Sequence, residues 1–229
     1  NKRFTEINYN KVMKPYPLQY AAQTPGSLPT PETIEGKVIF MGGISPSGVS
    51  SYKFLEYIMI ICEKEDGTRK WFYVKPDGSS MNIIRKGTFD ASSPFADATH
   101  YTSSKNGANY LYAAGADGKI YAMNPDNGNV QELTFQSLPA GEITYFQTMF
   151  NITSDPESAN YLNSFIIGTA DGGKYTMSQY NMIGGIPVRN QGPVNTLSGD
   201  GKIQKVQFAN QTKRAGVMQL QNSLFSIHY

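Results

Sequence analysis

Few residues of this chain have the type and spacing that chemistry needs. Its two histidines, His100 and His228, are far apart, and neither has a histidine, cysteine or carboxylate beside it at metal-ligand spacing. Neither a metal centre nor a histidine-based triad is therefore expected. His100 follows Asp97 and Thr99 at the start of a strand and reads as structural. The single cysteine, Cys62, ends the apolar run Tyr57-Ile58-Met59-Ile60-Ile61, which points to a buried thiol rather than a reactive one. One cysteine also rules out an intramolecular disulfide and a cysteine zinc site.

A glycosidase would need two carboxylates about 5 to 10 Å apart. Such a pair could be assembled across sheets from Asp66, Asp90, Asp97, Asp117, Glu142 or Asp171, but three of these stand in Asp-Gly turns that already account for them. The run from Asn124 to Asn129 is rich in the oxygen ligands calcium accepts, yet lacks the bidentate glutamate of an EF-hand loop, so it reads as a hairpin turn with calcium as the alternative. Met41-Gly42-Gly43 and Ile183-Gly184-Gly185 are followed by no Lys-Ser/Thr pair and no helix, and read as turns rather than phosphate cradles. No catalytic, cofactor-binding or metal-binding residue is expected.

The one positive hint of binding is aromatic. Trp71, Phe72 and Tyr73 are consecutive on a strand, so Phe72 points away from the other two and one face of the strand is a candidate for exposure. Trp71, Tyr73 and Tyr101 are the candidate ligand-contacting rings, to stack on a sugar, clasp a peptide or anchor a protein interface. The alternative for each is packing between sheets.

These side chains need elements to hold them. The chain has 229 residues, with 22 Gly, 13 Pro, 15 Tyr and 12 Phe and only 17% charged residues, which describes a turn-rich all-β protein rather than a helical bundle. A formal charge of +2 gives no field that would steer the chain to nucleic acid or to an anionic membrane, and nucleic acid is not an expected partner. No window has the roughly 18 consecutive apolar residues of a membrane-spanning helix. The chain starts at Asn1 with no signal peptide or lipidation cysteine at its front, so any targeting segment is expected to lie outside this sequence.

Residues 1–35 carry Pro15, Pro17, Pro25, Pro29 and Pro31, a spacing that forbids helix and allows only short edge strands, as in an irregular lead-in or linker. From Gly36 onward, short strands alternate with turns. Asp66-Gly67, Asp117-Gly118 and Asp171-Gly172 recur at intervals of about fifty residues, each preceded by an apolar run and followed by an aromatic strand. Asp-Gly suits a tight hairpin because glycine takes positive φ without steric cost and aspartate tolerates it. With a further strand ahead of each, the repeat has the dimensions of a four-stranded propeller blade, over about 36–90, 96–136, 141–190 and a partial unit 200–229. A sandwich or meander with similar turns is the alternative. Three full repeats do not close a ring, so either a small ring closes through the termini or the units belong to a larger, here incomplete, ring; the second is expected.

The segment from Tyr110 to Gly128, with Gly115-Ala116-Asp117-Gly118 and Ile120-Tyr121-Ala122, is similar to the repeat of PQQ-like propellers. Phe135 stands where that repeat ends in tryptophan, so no quinone site is carried over. Gly168-Thr169-Ala170-Asp171-Gly172-Gly173-Lys174, followed by Gly199-Asp200-Gly201-Lys202-Ile203, resembles the C-terminal part of PKD-like family surface lipoproteins. That resemblance implies a lipid-anchored protein at the cell surface or outer membrane. Its role would be non-enzymatic binding, accessory to a SusC/SusD-like complex that takes up glycans or peptides. A glycan-processing hydrolase on the same scaffold is the alternative.

Overall fold

A computed structural model of the chain describes residues 18–20, 30–31, 34–44, 57–77, 80–104, 109–149, 164–183, 186–189, 196–208, 215–220 and 223–228. Among them every regular element is a strand. The expectation of an all-β protein holds, and the strands form four sheets that follow one another along the chain.

The first sheet contains β1 (Leu18–Tyr20), β2 (Thr30–Pro31), β3 (Lys37–Ile44), β4 (Tyr57–Glu63), β5 (Arg69–Asp77) and β6 (Ser80–Thr88), in the spatial order β2-β1-β6-β5-β4-β3. β3 to β6 form an antiparallel meander. β1 adds to its outer edge in parallel with β6, and the very short β2 pairs with β1. Proline spacing in the lead-in allows no more than such fragments.

The second sheet is the meander β7 (His100–Ser103), β8 (Leu111–Ala114), β9 (Ile120–Met123) and β10 (Val130–Leu133). The third has β11 (Glu142–Met149), β12 (Ser164–Asp171) and β13 (Lys174–Ile183). Its last edge is shared, since β14 (Ile186–Arg189) pairs with the end of β13 and β15 (Thr196–Asp200) with its beginning. The fourth has β16 (Ile203–Phe208), β17 (Ala215–Leu220) and β18 (Ser223–His228).

The Asp-Gly turns work as their chemistry requires. Gly67 and Gly118 have φ of 81° and 76°. The Asp66 carboxylate accepts from the Thr68 amide at 2.8 Å, and that of Asp117 from the Lys119 amide at 3.0 Å. In the 124–129 turn the side-chain oxygens of Asn124 and Asn127 accept from the amides of Asp126 and Asn129, each at 2.8 Å, so the turn uses its own oxygens.

Met41-Gly42-Gly43 is not the turn its composition suggested, for it lies inside β3. A Cβ on Gly42 would stand 2.7 Å from the Phe40 ring and 3.0 Å from Ser103 Oγ, so the glycine is there for close approach of a neighbour. Gly184 and Gly185 lie outside the described residues.

Each sheet buries a face against the next. Ile44, Met59, Trp71, Tyr73 and Phe95 of the first sheet and its trailing loop pack on Leu111, Ala113 and Met123 of the second. The opposite face of the second sheet, with Tyr112, Ile120 and Ala122, packs on Phe146, Phe165 and Tyr180 of the third. Ile166 and Met177, on the other face of the third, meet Ile203, Met218 and Leu220 of the fourth. Because adjacent side chains of a strand point to opposite faces, a sheet covered on both sides must be apolar throughout. That is why β8 reads Leu-Tyr-Ala-Ala, all buried.

Candidate functional site

The first strands of the sheets, β3, β7, β11 and β16, lie in succession against one another. At one end hydroxyls link them. Ser103 Oγ donates to the Gly43 carbonyl at 2.6 Å, Thr148 Oγ1 to the Ser103 carbonyl at 2.6 Å, and the Thr148 amide to Thr102 Oγ1 at 3.0 Å. Buried edge-strand carbonyls are thereby satisfied by the neighbouring sheet.

At the other end a row of charged or titratable residues marks where the same strands start: Lys37, His100 and Glu142 open β3, β7 and β11, and Lys202 immediately precedes β16. Three of the four follow a glycine of positive φ: Gly36 at 95°, Gly141 at 105° and Gly201 at 105°. At Gly36 and Gly141 a Cβ would lie 2.2 Å from a carbonyl oxygen of the second strand, that of Glu63 or Ala170, so only glycine fits. One or two residues further on, each of these strands carries an irregularity in register, between Val38 and Phe40, Ile143 and Tyr145, and Ile203 and Lys205. A residue bulged out of the ladder leaves backbone groups for other partners. Thr144 uses this freedom to form a backbone hydrogen bond with His100 of the neighbouring sheet.

Lys202 Nζ lies 2.6 Å from Glu142 Oε2 and ties the start of the fourth sheet to that of the third. His100 Nδ1 is 3.0 Å from Thr99 Oγ1. Burial pushes the His100 imidazole below its ordinary pKa, with the Lys202 charge acting in the same sense, while the Thr144 hydrogen bond and the Glu142 charge oppose the shift. The rim is thus a mixed-charge surface built from one residue of each sheet. The triplets Gly36-Lys37-Val38, Gly141-Glu142-Ile143 and Gly201-Lys202-Ile203 were its visible signal, but an Asp-Gly search at fifty-residue spacing passes over them.

The carboxylates of the first two Asp-Gly turns are already committed. Tyr121 Oη donates to Asp117 Oδ2 at 2.6 Å, and this bond, ahead of the Lys119 amide and charge, holds the Asp117 carboxyl below the usual range. Hydrogen bonds from Thr68 do the same for Asp66. A general acid needs the opposite shift.

Of the three candidate rings, Trp71 and Tyr73 point to the same face and are 5% and 2% exposed, while Phe72, on the opposite face, is 2% exposed. Both faces of β5 are therefore covered. Tyr73 stacks on Tyr57 with ring centroids 4.9 Å apart, and burial raises its hydroxyl pKa far above the ordinary value. Tyr101 is half-buried, donating from its hydroxyl to the Phe95 carbonyl at 2.5 Å and accepting from Arg69 at 2.9 Å. Arg69 also donates to Glu63 and to the Ala98 carbonyl, so Tyr101, on β7 of the second sheet, belongs to a joint that ties that sheet to the first and to the loop between them. Trp71 lines a cleft of ≈ 400 Å³ between the outer strands of the first and second sheets, together with Arg85, Pro94, Met123 and Val130. The structure does not bring the three rings together on one surface. Among the described residues no group of three or more His, Cys, Asp or Glu could hold a metal ion.

Fold and surface together define an all-β protein of successive, mainly antiparallel sheets, stacked face to face, with a charged rim and a cleft between its first two sheets. No family model matches the chain, and no curated protein matches it. Among solved structures the chain is similar to the computationally designed Ika4 protein, at 15% identity and a TM-score of 0.43, covering 94% of this chain and 99% of that one.

Proposed function

We propose that the four sheets are blades of a β-propeller and that the chain is a surface-exposed, non-enzymatic binding lipoprotein. In this reading it is accessory to an outer-membrane SusC/SusD-like complex that takes up glycans or peptides, and the rim of first-strand residues faces its partner. The observation that carries the binding part is the rim itself: Lys37, His100 and Glu142 begin β3, β7 and β11, Lys202 immediately precedes β16, and these four strands of four different sheets lie side by side. Side chains repeated at one end of stacked units form a surface that a macromolecule can span, while the packed sheets hold it rigid. The family and compartment rest on the sequence resemblance alone.

The test is to screen the purified chain against glycan and peptide libraries for binding and for turnover together. Saturable binding without products, weakened by reversing the charge of Lys202, is the expected result. Efficient turnover would overturn the reading in favour of a hydrolase. Copurification with a membrane complex, in the absence of any library ligand, would leave a scaffold.

A further inference from the structure

The outer edge of the second sheet differs from that of the first. In the first sheet the fourth strand of the meander, β6, has an additional extended segment on its outer side, β1, running parallel to it. The corresponding strand of the second sheet is β10, and no strand pairs with its outer edge among the described residues. The phase of its hydrogen bonds is fixed by the Asn124 amide donating to the Asn129 carbonyl at 3.0 Å, with Val130 opposite Met123 and Gln131 opposite Ala122. In an antiparallel pair the bonded and non-bonded positions alternate. Val130 and Glu132 therefore turn their amides and carbonyls away from β9, toward the outer edge.

This edge borders the ≈ 400 Å³ cleft, which Val130 itself lines and where Val130 is 42% exposed. Val130 is opposite Met123, which packs on the first sheet, so side chains on that face of an added strand would point into the cleft. The lining there is mixed: Trp71, Phe89, Pro94 and Met123 supply its apolar part, and Lys86, Thr88, Asp90 and Ser93 its polar part. Above it stands Arg85, whose guanidinium donates to the carbonyls of Asp126 and Asn127. Both partners are neutral oxygens, so the cation keeps its charge for a carboxylate.

From this geometry we infer that the cleft and the β10 edge together receive an extended peptide segment of a partner protein, added as a fifth strand. The segment presents an apolar side chain to Trp71 and an acidic one to Arg85. Main-chain bonding supplies affinity, and the cleft selects the alternate side chains. The inference rests on reading the chain as a binding module, but not on ring closure or on the rim.

Trp71 is the chain's single tryptophan, so tryptophan fluorescence reports on the packing around this one ring, at the border of the cleft. The probe is the capped peptide Thr-Asp-Thr-Leu-Thr-Asp-Thr, which places its apolar and acidic residues on one face of a strand. It should change the Trp71 emission saturably. Val130→Pro removes an outward amide but no ladder bond, and should weaken binding by about tenfold. Arg85→Gln should weaken it similarly, Arg85→Lys should restore most of it, and a peptide with Lys for Asp should bind about tenfold less tightly. Unchanged melting temperatures check that each variant folds.

Equal affinity for the lysine peptide, or calorimetric binding that leaves Trp71 emission unmoved, would overturn the proposal. So would self-association of the chain that Val130→Pro abolishes, since the edge would then belong to a second copy. If library ligands bind through the rim while the probe fails here, the inference falls and the binding-module reading stands. Turnover of library substrates sinks that reading by a separate measurement.

Discussion

His100 is the residue whose environment makes the sharpest statement about pH. Burial lowers its folded-state pKa below the ordinary 6.5, so below about pH 6.5 the unfolded chain takes up the proton more readily than the folded one. The stability it contributes is fully present above that value and declines as the pH falls through it. Chemical denaturation at pH 7.5 and pH 5.5 should show a loss at the lower pH that His100→Gln reduces. Glu142→Gln removes the carboxylate that opposes the shift, and an NMR titration of the His100 ring should find its pKa lower still. Tyr121 gives a third residue-level test. Its hydroxyl, donating to Asp117, has its pKa raised to about 12, and Asp117→Asn should return its ionisation toward about 10, read by phenolate absorbance or NMR.

Strand starts and strand ends carry different risks when mutated. Gly141 has φ of 105° and a Cβ there would lie 2.2 Å from the Ala170 carbonyl, whereas Gly118 has φ of 76° with open space around it. Gly141→Ala should therefore cost about 2–3 kcal/mol and Gly118→Ala about 1 kcal/mol, measured by urea unfolding. At the far ends of the first strands, Thr148→Val removes the hydroxyl that donates to the Ser103 carbonyl and meets Thr102 Oγ1, while the Thr148 amide still donates to Thr102. A loss of about 1–3 kcal/mol is expected, with faster amide exchange along β7 and β11 as the local sign of it.

Across the whole molecule, stability resides in the faces between sheets. Phe165 is fully buried between the second and third sheets, edge-on to Tyr112 at 5.0 Å and Phe135 at 5.4 Å and stacked on Phe146 at 5.8 Å. Phe165→Ala should destabilise by about 3–5 kcal/mol, because the flanking sheets cannot close over the cavity without losing their own packing. Cys62 lies on the opposite face of the first sheet among Ile60, Phe72 and Val74, and burial raises its thiol pKa. A thiol reagent should label it only as fast as the first sheet opens, which makes its labelling rate a measure of that sheet's stability.

Most strands, and turns such as Asp66-Gly67 and Asp117-Gly118, were legible because their causes are local, whereas Met41-Gly42-Gly43 reads as a turn and lies inside β3, where Gly42 answers to the approach of Phe40 and Ser103. Asp-Gly needs only its own φ and a neighbouring amide, and the alternation or continuity of apolar residues depends on one strand at a time. The roles of Trp71, Tyr73 and Tyr101 were not legible, since whether a ring meets solvent depends on a sheet some forty residues away. One pair of identical tetrapeptides shows the division. Asp117-Gly118-Lys119-Ile120 turns the chain back within the second sheet, while Asp200-Gly201-Lys202-Ile203 carries it out of the third sheet and into the fourth. Both glycines take positive φ, 76° and 105°, as the local sequence demands. What separates them is where the following isoleucine is buried: Ile120 with Tyr112 and Phe135, Ile203 with Ile166 and Met218. Backbone preference is fixed by adjacent residues, but burial is decided by partners distant in sequence, so the sequence alone set the turns and only the assembled sheets determined the cleft and the rim.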